Sequence, residues 1–197
     1  KRWDAWLNLA IPHSKADQFD EALDAMEQCL ANGGEGRAEV YFNLGNIYQH
    51  RGLYRQAIKA YRSARAHSEK PDVDTLVNLG ATLAVMNRPS DARAIYEKAQ
   101  RIAPRDPRVQ HGIAVALNLQ GDYEASVRAF EQLLSMHPDY ARAHYDKSHP
   151  LAELEEYERA IATLETYLEE APEGRFANNA KDRIEIYREK LEDRTAR

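Results

Sequence analysis

The stretch that decides the fold is residues 38–71, AEVYFNLGNIYQHRGLYRQAIKAYRSARAHSEKP. In its second half Ala57 is followed four residues later by Tyr61, so the two side chains share one face of a helix. There the small residue admits a neighbouring helix and the large one fills the gap beside it. Gly52 suits the left-handed backbone that often follows a helix C-terminus, and Pro71 stops the second helix. The stretch therefore predicts two helices joined by a tight turn.

The same pattern recurs on both sides of this stretch. The small residue returns in steps of 35, 35, 34 and 34, at Ala22, Ala57, Ala92, Ser126 and Ala160. The large residue keeps the same steps, at Met26, Tyr61, Tyr96, Phe130 and Leu164. Upstream, each of the first four pairs has a large apolar residue followed by a small one, at Leu9–Ala10, Leu44–Gly45, Leu79–Gly80 and Ile113–Ala114. Residues that tolerate a tight turn stand between the helices, at Asp17, Gly52, Asn87 and Gly121. We predict five helix pairs, at 3–36, 38–71, 73–106, 107–140 and 141–174.

This pattern resembles the tetratricopeptide repeat (TPR) family, whose repeat of about 34 residues carries such residues at fixed offsets. The closest match runs from Ala38 to Pro71, with the motif residues Tyr41, Leu44, Gly45, Tyr48, Gly52, Tyr54, Ala57, Tyr61 and Ala64. The resemblance covers almost the whole chain. It implies an all-α fold, a right-handed α-solenoid of five TPR helix–turn–helix repeats forming a single domain over 1–197. After the last repeat, a narrow apolar stripe predicts a C-terminal capping helix over 175–195.

Composition excludes several classes of protein. With 43% apolar residues the chain can bury a continuous core, and its net charge of −5 does not favour nucleic acid as a partner. No apolar run approaches the roughly 20 residues of a membrane span. One cysteine, Cys29, forms no internal disulfide, which fits a cytoplasmic location. The sequence opens at Lys1 rather than methionine, so we expect upstream sequence to have been removed.

The start of the chain carries two tryptophans, Trp3 and Trp6, with no capping helix before them. Either preceding repeats are missing, or the indoles fold back onto the face of Phe19 and Met26, which we favour. An exposed edge here would also allow a homo-oligomer to form through Trp3 and Trp6.

The resemblance implies a binding surface, because the first helices of stacked pairs line a concave groove. Asn8, Asn43 and Asn78 occupy one groove position in three successive repeats. This row resembles the asparagine ladder of the O-linked N-acetylglucosamine transferases and kinesin light chains. An amide donates and accepts at once, so such a row can bind the backbone of an extended peptide. An equally open alternative is that asparagine is simply common at this position.

Chaperone adaptors of the Hsp70/Hsp90 type bind a C-terminal carboxylate through a related clamp of amides and cations. Asn46, Asn78 and Arg108 stand where that clamp expects them. Phe42 and Gly112 replace two of its cations, which removes the strongest contacts with a carboxylate. We therefore do not predict binding of a chaperone tail.

Toward the C-terminus the groove positions change from amides to cationic and aromatic residues, namely Arg108, His111, Arg142, Tyr145 and His149. An acidic or phosphorylated segment could dock there, although a solvated mixed surface explains the same residues. We predict no metal site, because no histidine pair has metal-ligand spacing with a nearby carboxylate. Nucleophile and phosphate-binding motifs are absent, so we predict neither cofactor nor catalysis.

The first and last repeats carry a proline inside the first helix, at Pro12 and Pro150. A proline there removes a backbone donor, so we expect these helices to be bent or short. Lys147 also replaces an expected apolar residue, and we expect the regular pattern to fail in the fifth repeat.

The sequence thus favours a non-catalytic adaptor that binds a peptide or partner segment in the concave groove. Two alternatives stay open. One is a self-assembling scaffold, and the other is the TPR portion of a larger enzyme.

Overall fold

The computed structural model describes residues 2–70 and 72–195, so the predicted repeat boundary at Pro71 lies outside the described residues. The described chain is helical, without strands. It divides into two compact units, an N-terminal unit, Lys1–Ala103, and a C-terminal unit, Pro104–Arg197. That the repeats act as one domain stays a prediction.

The N-terminal unit contains three helix pairs. Their bounds are α1 Trp3–Lys15 with α2 Phe19–Cys29, α3 Ala38–His50 with α4 Tyr54–His67, and α5 Val73–Val85 with α6 Pro89–Ile102. After α2, the segment Leu30–Gly34 leaves helical backbone at Asn32 and Gly33 and adds length between the first two pairs. Asp72 caps α5 by accepting the backbone N–H of Thr75 at 2.8 Å, and Pro89 begins α6 where no N–H is needed.

The C-terminal unit contains two helix pairs and a final helix. They are α7 Pro107–Leu119 with α8 Tyr123–Met136, α9 Ala141–Glu153 with α10 Tyr157–Glu170, and α11 Ala177–Thr195. On α11, Ala180, Ile184 and Tyr187 are buried in one cluster with Leu164 and Tyr167 of α10. This packing buries the apolar face of the last pair, as predicted for a capping helix.

The tryptophans at the start of the chain fold back, as favoured from the sequence. Trp3 and Trp6 pack against the cluster that contains Met26 and Phe19. The backbone carbonyl of Trp3 accepts from the Cys29 thiol at 3.2 Å. The first pair therefore covers much of its own apolar edge.

Neither proline-containing helix is shortened, so that part of the prediction is wrong, whereas bending of these helices stays a prediction. α1 and α9 each span 13 residues, the same length as α3, α5 and α7. Pro12 and Pro150 lie near the helix ends, so each removes a single ladder hydrogen bond. The following turns close normally, since Ala16 N–H donates to the Pro12 carbonyl and Leu154 N–H to that of Pro150, both at 3.1 Å. The fifth repeat is thus regular in its helices, and Lys147 is accommodated half-buried.

The turns inside the pairs use left-handed backbone at equivalent positions. The predicted residues Asp17, Gly52, Asn87 and Gly121 all have positive φ. The fifth pair places Glu155 there, with φ of 58°. A glutamate strains this conformation because its Cβ approaches the following carbonyl.

We expect Glu155→Gly to raise the free energy of unfolding by about 0.5–1 kcal/mol, because relief of the strain exceeds the added entropy of the unfolded chain. The contact of Arg194 Nη1 with the Glu155 carbonyl, 3.3 Å, uses backbone and survives the change. Urea unfolding followed by circular dichroism measures the effect. Glu158→Gly, in the first turn of α10, is the matched control and should lower stability by about 1 kcal/mol. A loss of stability in Glu155→Gly would contradict the expectation.

Candidate functional site

Four polar side chains of the N-terminal unit form a cluster that links helices α3, α4 and α5. Asn78 of α5 donates to Asn46 Oδ1 of α3 at 2.9 Å. The same oxygen accepts from the Tyr61 hydroxyl of α4 at 2.8 Å, and Gln49 Oε1 lies 2.6 Å from that hydroxyl. The phenol has one proton, so it donates to one of the two amides at a time. We call these four residues the amide cluster.

Close packing between α3 and α4 positions the amide cluster. Gly45 lies against the Tyr61 ring, and a Cβ at Gly45 would come within 2.5 Å of Tyr61 Cε1. Tyr61 is fully buried, so its hydroxyl needs a polar partner inside the protein, which the amides supply. Burial also raises the pKa of this hydroxyl, which therefore remains protonated and can donate.

The predicted ladder residues do not form a continuous row of mutual contacts. Asn8 is exposed on α1. Asn43 is half-buried, and its amide donates to the Glu39 carbonyl one turn earlier at 2.9 Å. Asn78 instead donates to Asn46, the residue that stands beside it in the clamp pattern rather than in the ladder. The N-terminal unit thus brings together Asn46 and Asn78 but leaves Asn8 and Asn43 separate.

In the C-terminal unit, a carboxylate organises two of the predicted cationic residues. Asp146 Oδ2 lies 2.8 Å from Nε2 of His111 and 2.6 Å from Nε of Arg142. Its residue surface is only 8% exposed. Burial alone would raise the pKa of Asp146, but the hydrogen bonds from His111 and Arg142 outweigh it, and the pKa is lowered. His111 and Arg142 are therefore both bonded to one carboxylate inside the protein.

An aromatic cluster lies beside this carboxylate. Tyr145 is buried, and its ring stacks on Phe176 with 4.7 Å between centroids. The Arg142 guanidinium carbon lies 4.0 Å from the Phe176 ring centroid, and that of Arg183 lies 5.5 Å from the Tyr145 ring centroid. These distances allow cation–π attraction. The Arg142 side chain is 44% exposed, so its guanidinium lies at the surface beside the Phe176 ring.

The remaining two predicted residues have different surroundings. Arg108 Nη2 contacts the Asp106 carboxylate at 2.7 Å at the start of α7. His149 is half-buried against Tyr145, with ring centroids 5.6 Å apart. Burial and the nearby Arg183 lower the pKa of His149 from 6.5 to about 4. His149 is therefore neutral near pH 7 and does not add positive charge to this surface.

Sequence reasoning missed three contributors to these sites, namely Tyr61, Phe176 and Arg183. Tyr61 had been counted only as core, although a buried tyrosine needs a partner for its hydroxyl. Phe176 and Arg183 lie 34 residues after Arg142 and His149, so the repeat register itself could have identified them.

Two features of the described residues bear on other functions. No group of three or more His, Cys, Asp or Glu side chains there is arranged to hold a metal ion. No described helix has the length and apolar character needed to cross a membrane.

Comparison with known proteins identifies several relatives. Protein FlbA of Caulobacter vibrioides is 27% identical over 161 residues, which is 82% of this chain and 27% of that protein. The intraflagellar transport protein 88 homolog of Homo sapiens is 28% identical over 66% of this chain and 16% of its own length. The STIP1 homolog of Dictyostelium discoideum is 26% identical, covering 68% and 23%. The chain thus spans only about a quarter or less of these relatives.

Solved structures share the fold at low identity. YrrB, described as a TPR protein with an unusual peptide-binding site, aligns with a TM-score of 0.68 at 21% identity, covering 90% of each chain. MamA of Desulfovibrio magneticus RS-1 aligns with a TM-score of 0.77 at 15% identity, covering 89% of this chain and 98% of that one. The predicted all-α TPR fold is confirmed.

Sequence models of one family match nearly the whole chain. One tetratricopeptide repeat model matches residues 4–70 and 36–105, and a second matches residues 117–181. The first alone covers more than half of the chain. The chain belongs to the tetratricopeptide repeat family.

Proposed function

We propose that this chain is a non-catalytic adaptor that binds a peptide or an extended segment of a partner protein on the first helices of its pairs. Tetratricopeptide repeats are protein–protein interaction modules, and solenoids present the first helix of each pair to their partners. The peptide-binding site named for YrrB supports the same use of this fold. The proposal concerns this chain and is the same whether or not a catalytic domain lies elsewhere in the protein.

The amide cluster is the observation that carries the proposal. Asn46 uses its oxygen for Tyr61 and Asn78, which leaves its two N–H donors. Asn78 donates one amide N–H to Asn46, which leaves its own side-chain oxygen as an acceptor. Asn43 donates one amide N–H to the Glu39 carbonyl and likewise leaves its side-chain oxygen as an acceptor. Donors and acceptors therefore remain on half-buried side chains of α3 and α5 that are held by hydrogen bonds within the protein. Such a surface suits the alternating N–H and C=O groups of an extended backbone.

The C-terminal unit supplies a second binding surface of different chemistry. Arg142 over Phe176, with Tyr145 and the neutral His149 beneath, suits an aromatic or acidic side chain of a bound segment. Arg108 and His111 flank this surface on α7, each already beside a carboxylate. These residues remain proposed contacts, and Asn8 is proposed as an additional contact in the N-terminal unit.

Substitution of two amides tests the proposal. Peptides are first selected from a random displayed library on the wild-type chain, and their affinity is measured by fluorescence polarisation. We expect Asn43→Ala/Asn78→Ala to weaken the selected peptide at least about tenfold, since each lost hydrogen bond contributes roughly 1 kcal/mol. Both positions tolerate alanine, because Asn46 keeps its bond to Tyr61 and alanine favours the helix.

The matched control is Gln56→Ala/Gln100→Ala, which removes two exposed amides from the second helices α4 and α6. It should leave the affinity unchanged. Circular dichroism of both variants checks that the fold is intact. Equal affinity of the Asn43→Ala/Asn78→Ala variant and the wild type would show that these two amides do not bind the peptide.

A further inference from the structure

The N-terminal unit carries a basic cleft that does not belong to the surfaces described above. The cleft has a volume of about 490 Å³ and lies among the C-terminal ends of α4 and α6 and the start of α5. Its floor is apolar, with Leu76 and the 44%-exposed Ile102. Three cations line it, Arg65, Lys98 and Arg101, and the only carboxylate in its lining is Glu69. We call it the basic cleft.

Positive charge continues from the basic cleft along α4. This helix contains four cations, Arg55, Lys59, Arg62 and Arg65, and no acidic residue. All four are exposed, and within the part of the chain that the structure describes none forms an ion pair. An exposed face of one sign next to an apolar opening is suited to a partner with acidic and apolar side chains together.

The opposite edge of the same unit has that chemistry. A cleft of about 400 Å³ between α1 and α2 has an apolar floor that includes Trp6 and Leu9. Three carboxylates line it, Glu21, Asp24 and Glu27. Leu9 is 44% exposed, the same fraction as Ile102 in the basic cleft. We call it the acidic cleft.

The charge contrast between the two helix pairs is large. Residues 3–36 contain seven Asp or Glu and one Lys, whereas residues 37–70 contain seven Lys or Arg and two Glu. The reversal falls at equivalent repeat positions, since Asp24 and Glu27 of α2 correspond to Lys59 and Arg62 of α4, 35 residues later. Among the described residues, Asp20 is the one acidic residue of the first pair in a salt bridge across this boundary, with Arg51 at 2.7 Å.

We propose that the basic cleft of one copy of this chain binds the acidic cleft of a second copy. Each cleft then meets three opposite charges around an apolar floor, and exposed Ile102 meets exposed Leu9. The contact uses different surfaces on the two copies, so each copy keeps one cleft open and further copies can add in a row. A nucleic acid fits the basic cleft less well, because Glu69 would face phosphate and the lining has no aromatic ring on which a base could stack.

Charge reversal on each cleft tests the proposal. Variant A carries Glu21→Lys, Asp24→Lys and Glu27→Lys, so both of its clefts are basic. Variant B carries Arg65→Glu, Lys98→Glu and Arg101→Glu, so both are acidic. We expect the wild type to associate in sedimentation velocity as its concentration rises to about 0.5 mM, a range suited to small, charged contacts. Variants A and B should each stay monomeric, and an equimolar mixture of A and B should associate.

Variants with neutral side chains control for any loss of helix stability that the charge reversals cause. Glu21→Gln/Asp24→Asn/Glu27→Gln and Arg65→Gln/Lys98→Gln/Arg101→Gln should each weaken association at least about tenfold while circular dichroism stays unchanged. Raising the salt from 0.1 to 1 M, which shortens the screening length from about 10 to 3 Å, should weaken the wild type similarly. Arg128→Glu on α8 of the C-terminal unit is the control and should associate like the wild type.

Three outcomes would overturn the proposal. They are a wild type that is monomeric at every concentration and salt, association that persists in variants A and B, and a folded mixture of A and B that stays monomeric. Tighter binding of a single-stranded oligonucleotide than of a second copy, lost in variant B, would reassign the basic cleft to nucleic acid. Affinity for selected peptides is measured separately, so either result is distinguishable from failure of the proposed peptide-binding function.

Discussion

Replacing Gly45 with alanine is expected to lower the free energy of unfolding by about 2 kcal/mol and the midpoint of thermal unfolding by about 4–8 °C. The new Cβ would lie 2.5, 2.6 and 2.9 Å from three atoms of the Tyr61 ring. Tyr61 is fully buried, so the ring cannot turn out into solvent and α3 must move away from α4. Alanine favours a helix by about 1 kcal/mol over glycine, which offsets only part of this overpacking.

The control for this prediction comes from the first repeat of the same chain. There Ala10 and Met26 occupy the positions of Gly45 and Tyr61, and both are fully buried in one cluster. Gly45→Ala/Tyr61→Met should therefore be more stable than the sum of the two single changes by at least about 1 kcal/mol. Calorimetry on the four proteins of this cycle measures the coupling. A Gly45→Ala variant as stable as the wild type would mean that α3 and α4 separate without loss.

The same pairing explains why the fold was readable from sequence. Gly45 and Gly80 face the rings of Tyr61 and Tyr96, whereas Ala10 and Ala114 lie in clusters with Met26 and Phe130. In the first four pairs, glycine is thus used where the opposite residue is a tyrosine, and alanine where it is methionine or phenylalanine. These are local contacts between helices adjacent in the chain, so spacing alone indicates them.

The candidate sites were less readable because their contacts depend on which polar atoms meet across helices. Position within the repeat grouped Asn78 with Asn8 and Asn43, but its amide donates to Asn46 Oδ1, on the neighbouring helix α3. In the same way, the sequence left open whether Arg142 and His111 face an acidic ligand or solvent, and in the structure both bond to Asp146. Repeat periodicity places a side chain on a face but does not select its partner.

Acid sensitivity of the C-terminal unit is the second large effect that we expect. His149 has its pKa lowered from 6.5 to about 4, first by burial and then by Arg183 and Arg142, while Asp146 opposes them. Burial also lowers the pKa of His144. The unfolded chain therefore binds protons at a higher pH than the folded chain does. The stability that neutral His149 contributes is complete above about pH 6.5 and is lost as the pH falls toward about 4.

The size of the effect follows from the difference between the pKa of His149 in the folded chain and in the unfolded chain. One histidine that stays neutral when folded lowers the free energy of unfolding by about 1.4 kcal/mol for each unit of pH, or roughly 3 kcal/mol in total. Urea unfolding at half-unit intervals from pH 7.5 to 4 measures the slope. His149→Gln should remove most of the slope of stability against pH that His149 contributes. His149→Phe should do the same while keeping a ring beside Tyr145.

The most acidic part of the plot of stability against pH distinguishes the contribution of Asp146 from that of His149. Asp146 has a lowered pKa, so its contribution is complete above its ordinary value of 3.8 and is lost only as the pH falls below it. Asp146→Asn should therefore lower stability near pH 7, by about 1.5–3 kcal/mol for its charged hydrogen bonds, without flattening the slope between pH 6.5 and 4. His50→Gln makes the histidine substitution at an exposed position and serves as the control. A slope between pH 6.5 and 4 that is unchanged in both His149 variants would show that this histidine is protonated in the folded chain.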